Sequence, residues 1–84
     1  MSRHELPARS PEYDVIVGWD APMSTFFGLV LDAEGTPVVD RGDLTDRIAA
    51  PGVVLAAVRD YAVIPPGFEH ELLAEARADG HITT

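Results

Sequence analysis

The side chains with chemical potential in this sequence are overwhelmingly carboxylates. Glu12 and Asp14 sit at the head of one apolar run, and Asp32 and Glu34 follow the next. Carboxyl groups brought close together raise one another's pKa or hold a hard cation, so a strand pairing that sets Asp14 opposite Asp32 would create a candidate acidic site. The competing expectation is a solvated acidic edge that discourages edge-to-edge sheet pairing. Asp40, Asp43 and Asp46 lie within seven residues, "DRGDLTD", but lack the residue order and the closing Glu of a calcium-binding EF-hand loop. Arg41 and Arg47 flank them and suit local ion pairs better than a nucleic-acid patch. The tripeptide "RGD" at residues 41–43 is expected to be a coincidence of composition.

His4, His70 and His81 are the only histidines. "HE" at His70 lacks a His four residues on, so no zinc-helix motif forms, and no metal site is expected. Ser10, Ser24 and Thr25 have hydroxyls but no nucleophile elbow or placed base around them. The absence of lysine rules out the usual P-loop cation, and without a glycine-rich phosphate loop no nucleotide enzyme is expected. The absence of cysteine removes disulfides, thiolate catalysis and sulfur-ligated metals, which points to the cytoplasm. The expected catalytic set is empty, no cofactor is expected, and the chain reads as no enzyme.

The net charge of −8, six Arg against fourteen Asp and Glu, repels phosphate backbones and attracts basic protein surfaces. The lack of Lys, Asn and Gln beside abundant Ala, Val, Gly, Asp and Arg reads as the residue usage of a GC-rich bacterial genome. No run approaches the ~20 apolar residues of a membrane span, and residues 1–13 lack the apolar centre of a signal peptide.

The elements that must position these groups follow from periodicity. Residues 1–12, with two prolines and mixed charges, read as a flexible N-terminal tail. A single α+β domain is expected over residues 13–80, and a C-terminal tail over 81–84. "YDVIVGWD" alternates at period two, "DAPMST" interrupts it with turn formers, and "FFGLVLD" resumes an extended apolar run. The register expected to gather the bulkiest residues sets Trp19 opposite Phe27, Val17 opposite Leu29 and Val15 opposite Leu31. Its reverse face pairs Asp14 with Asp32 and Gly18 with Gly28, and the facing glycines would bare the backbone to a partner. Trp19 and Phe27 are expected as a core pair, so "VGWDAPMSTFF" reads as a hairpin turn before an active-site loop.

"TPVVD" supplies a short third strand, making the sheet a hairpin or a three-stranded antiparallel meander. Pro51 opens a first helix expected over 51–61, with Val54, Ala57, Val58 and Tyr61 at helical spacing. A second helix begins near Pro66 with Phe68, Leu72 and Ala76 in a stripe widened by Leu73, and Gly80 ends it. The two helices pack on one face of the sheet.

With these segments placed, the chain resembles an uncharacterised family of small bacterial accessory proteins, of the kind carried on plasmids or phages. The resemblance rests on a Tyr-x-Val-x-Val-Gly-Trp-Asp-x-Pro segment followed by Thr-Phe-Phe. Tyr13, Val15, Val17, Gly18, Trp19, Asp20, Pro22, Thr25, Phe26 and Phe27 match it, as Tyr61, Ala62, Pro65 and Pro66 match a later Pro-Tyr-Ala-x-Leu-Pro-Pro stretch. The middle departs, lacking a second tryptophan in the third strand. The resemblance brings no activity with it.

Size and charge together lead to the expectation of a small non-catalytic interaction module. It binds a basic, nucleic-acid-handling protein as inhibitor or regulator, through Glu12, Asp14, Asp32 and Glu34. The alternative is a homodimeric structural or antitoxin-like subunit meeting through the Gly18 and Gly28 face. A carboxylate-dependent enzyme using Asp14, Asp20 or Asp32 is the remote third. Neither direct nucleic-acid binding nor a membrane is expected.

Overall fold

The computed structural model describes residues 2–79. Four strands, β1 (Ser2–Leu6), β2 (Asp14–Asp20), β3 (Thr25–Leu31) and β4 (Pro37–Arg41), precede two helices, α1 (Pro51–Val58) and α2 (Phe68–Ala78). The strands form one antiparallel meander in the order β1-β2-β3-β4. Both helices lie on one face of it, giving a two-layer α+β domain. Gly80, the expected helix terminator, and residues 81–84 with His81 lie outside the described residues. No helix among the described residues is long and apolar enough to cross a membrane.

Two corrections to the sequence reading stand out. Residues 2–6 do not form part of a tail: they are the edge strand β1, with Ser2, His4 and Leu6 opposite Trp19, Val17 and Val15. The segment after it is tied down as well, since the Arg9 N–H donates to the Tyr61 carbonyl and the Val63 N–H to the Pro7 carbonyl, each at 2.8 Å. That second pairing shortens α1. The helix stops at Val58 instead of running to Tyr61: residues 59–61 turn, and Ala62 bridges to Ala8.

The second correction is register. Trp19 faces Phe26, not Phe27, and every expected β2–β3 pair moves by one residue. The turn decides this. Residues 21–24 close a four-residue loop in which the Ser24 N–H reaches the Ala21 carbonyl at 3.1 Å and the Asp20 side chain accepts from the Met23 N–H at 3.2 Å. Ser24 takes the left-handed φ of 52° that such a loop needs at its last position. Because side chains alternate, a one-residue shift sends each β3 residue to the opposite face.

The helix-facing side therefore carries Val15, Val17, Trp19, Phe26 and Val30 in one buried cluster with Val54, Leu55 and Val58 of α1 and Phe68, Leu72 and Ala76 of α2. Trp19 and Phe26 meet with ring centroids 4.9 Å apart. Gly28 lies on this side too, where an added Cβ would come within 3.3 Å of Val58 and 3.4 Å of Val54. Its missing side chain lets α1 approach the sheet closely.

Candidate functional site

The faces sort the chemistry. On the helix side, His4 points from β1 toward α2 and donates from Nε2 to both Glu75 carboxylate oxygens at 2.8 Å, while its ring edge meets Phe68 at 5.2 Å. This histidine joins the first strand to the last helix; it belongs to the packing. His70 is exposed on the outer surface of α2. Thr25 is fully buried, its hydroxyl accepting from the Ile48 N–H at 2.7 Å and donating to the Phe26 carbonyl at 2.8 Å. Ser24 lies in the turn, and Ser10 donates to Glu12 at 3.0 Å.

The register removes the expected Asp14–Asp32 pairing but leaves the four carboxylates at one end of the sheet. Asp14 is exposed at the start of β2 opposite Leu31, so it does not face Asp32. Asp32 is engaged in the β3–β4 turn, accepting from the N–H groups of Glu34 and Thr36 at 2.9 Å each. Glu34 stands exposed on that turn, and Glu12 is exposed near the start of β2. No group of three potential metal ligands comes together among the described residues.

The glycine face expected of Gly18 and Gly28 does not exist, because the shifted register puts them on opposite sides of the sheet. Gly18 faces away from the helices and lies beneath Phe27, whose ring tip sits 2.8 Å from where a Cβ would stand, and beside the Ser2 carbonyl. Its backbone is covered.

The segment "DRGDLTD" is a folded loop. Arg41 donates through Nε and Nη2 to both carboxylate oxygens of Asp46, at 2.7 and 3.2 Å, and Asp46 also accepts from the Gly42 N–H. These bonds hold the Asp46 carboxyl below the ordinary carboxylate range, hydrogen bonding from Arg41 being the main cause. Asp43 is held low chiefly by the Thr45 hydroxyl and then by its amide. All three residues of the "RGD" tripeptide are thus committed: Arg41 to Asp46, Asp43 to Thr45, and Gly42, with φ 92°, to close packing over the Phe26 and Phe27 backbone.

Hollows open at two places among the described residues. A cleft of about 310 Å³ between α1 and the start of α2 is lined by Leu55, Ile64, Pro65 and Phe68, with Arg59 and Glu69 among its polar groups. A smaller one of about 140 Å³ opens where β1 ends and β2 begins, with Glu5, Tyr13 and Asp14 on its walls.

The feature that the residue-by-residue reading missed is the sheet face without helices. Its side chains are Arg3 and Glu5 from β1, Asp14, Ile16 and Gly18 from β2, Phe27, Leu29 and Leu31 from β3, and Asp40 from β4, by alternation from the paired positions, with a register irregularity beyond Val39 that pairs Pro37 with Leu31. Phe27, Leu29 and Leu31 are half-buried, and Ile16 is buried among its neighbours. One row across all four strands reads Glu5, Ile16, Leu29, Asp40: acid, apolar, apolar, acid. The signal was present in "DVIVGW" and "FFGLVL", whose near-continuous apolar runs are the pattern of strands destined for cover on both faces.

No family model matches the chain, and no curated protein or solved structure matches it significantly.

Proposed function

We propose that this chain is a small acidic interaction module that binds a protein with a basic surface through the helix-free face of its sheet. The observation carrying the proposal is the apolar stripe of Phe27, Leu29 and Leu31 bordered by Glu5, Asp14 and Asp40, in a chain of net charge −8. An apolar centre inside a charged rim is the anatomy of a protein-binding patch: burial of the centre supplies affinity, and the rim supplies steering and partner choice. Glu12, Asp32 and Glu34 extend the negative field at the same end of the sheet. In the most specific form of this reading the partner handles nucleic acid, and the carboxylates occupy places where it otherwise holds phosphates, making the module an inhibitor or regulator.

The test is affinity capture from host lysate at low and physiological salt, comparing the native chain with a Glu5→Lys/Asp14→Lys/Asp40→Lys variant. A basic partner retained by the native chain, weakened by salt and lost by the variant is the expected result. Equal retention by both chains, or a partner held as firmly at physiological salt as at low salt, refutes the reading.

A further inference from the structure

Resting on that reading, we infer that the element received by the helix-free face is a cationic amphipathic helix of the partner, seated along β2 and β3 as a third layer. The geometry of the acid-apolar-apolar-acid row supports it. Glu5 and Asp40 stand on the two outer strands, three inter-strand spacings apart, about 14 Å. A helix with its side chains is about 10–12 Å across. One helix therefore fits between the two carboxylates with its apolar side on Phe27, Leu29 and Leu31, over the buried Ile16, and Lys or Arg on its flanks reach Glu5 on one side and Asp40 on the other.

The same sheet already accepts helices in this way on its other face, where α1 packs along β3. The incoming helix would turn a two-layer domain into a three-layer one. The charge is graded along the stripe: Asp14 lies at one end, beside the hollow that it shares with Glu5 and Tyr13, and Arg3 lies at the other, beside Gly18 and Phe27. The partner's cations are accordingly concentrated toward the Asp14 end, where the hollow of about 140 Å³ receives one of their side chains. An extended strand added at the β4 edge would satisfy the backbone there but leave the stripe uncovered.

Three synthetic peptides of fourteen Leu and Lys residues test this on the full chain, by calorimetric titration and amide-shift mapping. One has the apolar residues at helical spacing, one is a scramble of the same composition, and one is Lys only. The helical peptide should bind at least about tenfold more tightly than either control, a difference of ~1.4 kcal/mol. Its shifts should fall on Ile16, Leu29 and Leu31, and Leu29→Ser or the separate reversal Glu5→Lys/Asp40→Lys should weaken it about tenfold in a chain whose circular dichroism is unchanged. Equal binding of helix and scramble overturns the helix inference while the acidic-face reading stands. Shifts confined to the β4 edge or to α1 overturn it as well, and binding by none of the three overturns both.

Discussion

Replacing Thr25 by valine separates a structural hydroxyl from a chemical one. The substitution conserves volume at a fully buried site, while removing the acceptor of the Ile48 N–H at 2.7 Å and the donor to the Phe26 carbonyl at 2.8 Å. A buried amide that loses its partner costs about 1–3 kcal/mol, and we take ~2 kcal/mol for this pair because the neighbouring Phe26 N–H to Ile48 carbonyl bond survives. A chain of this length has a global stability on the order of 4–13 kcal/mol, so the loss is a substantial fraction. It corresponds to a fall in melting temperature of roughly 8–16 °C. Urea unfolding followed by the fluorescence of Trp19, with thermal circular dichroism alongside, reads it directly. Thr25→Ser restores the hydroxyl and sacrifices one methyl, and should recover about half of the loss. A valine variant as stable as the native chain, or a serine variant less stable than the valine one, would refute the assignment of this hydroxyl to the Ile48 amide.

The two sheet glycines should respond unequally. Gly18→Ala drives a Cβ into the Ser2 carbonyl and toward Phe27, costing the upper part of the ~1–3 kcal/mol overpacking range and raising hydrogen exchange along β1. Gly28→Ala asks α1 only to retreat slightly and should cost near the lower end; a larger loss at Gly28 than at Gly18 contradicts the register. His4→Ala should destabilise by about 1–2 kcal/mol through lost contact with Glu75 and Phe68, and a double-mutant cycle with Glu75→Ala should show coupling above about 0.5 kcal/mol. Asp46 binds its proton at lower pH in the folded chain than in the unfolded one. Its contribution is present above the ordinary carboxylate range and is lost as pH falls through the lowered value. Carboxyl NMR should show the Asp46 midpoint rising in Arg41→Ala; an unmoved midpoint contradicts the assigned cause.

Much of the architecture was legible because period-two alternation from Asp14, the turn formers at residues 20–24 and the apolar stripe of α2 are all local signals. The β1 strand was not. Its helix-facing residues are Ser2, His4 and Leu6, and a polar pair reads as tail until Glu75 and Trp19 are known to stand opposite. The register failed for a related reason: gathering large residues favours Phe27 as Trp19's partner, yet the capped four-residue turn fixes Phe26 there. Of the site, the Arg41–Asp46 pair followed from proximity in sequence. The apolar row could not be assembled without the register, since Glu5, Ile16, Leu29 and Asp40 come from four strands.

The bond between His4 and Glu75 joins residues 71 apart, so it closes almost the whole chain into a ring. Closing that ring costs about 2–3 kcal/mol more entropy than closing the four-residue hairpin loop. The four-stranded meander can therefore assemble early from near neighbours, β1 included, whereas the His4–Glu75 bond must wait for α2. Without β1, the edge of β2 would present "VIVGW", apolar on both faces and unpaired, which is the kind of segment that recruits strands from other molecules. The first few residues thus act as a built-in guard against aggregation, and Arg3 and Glu5 on the finished edge keep that protection in place once folding is complete.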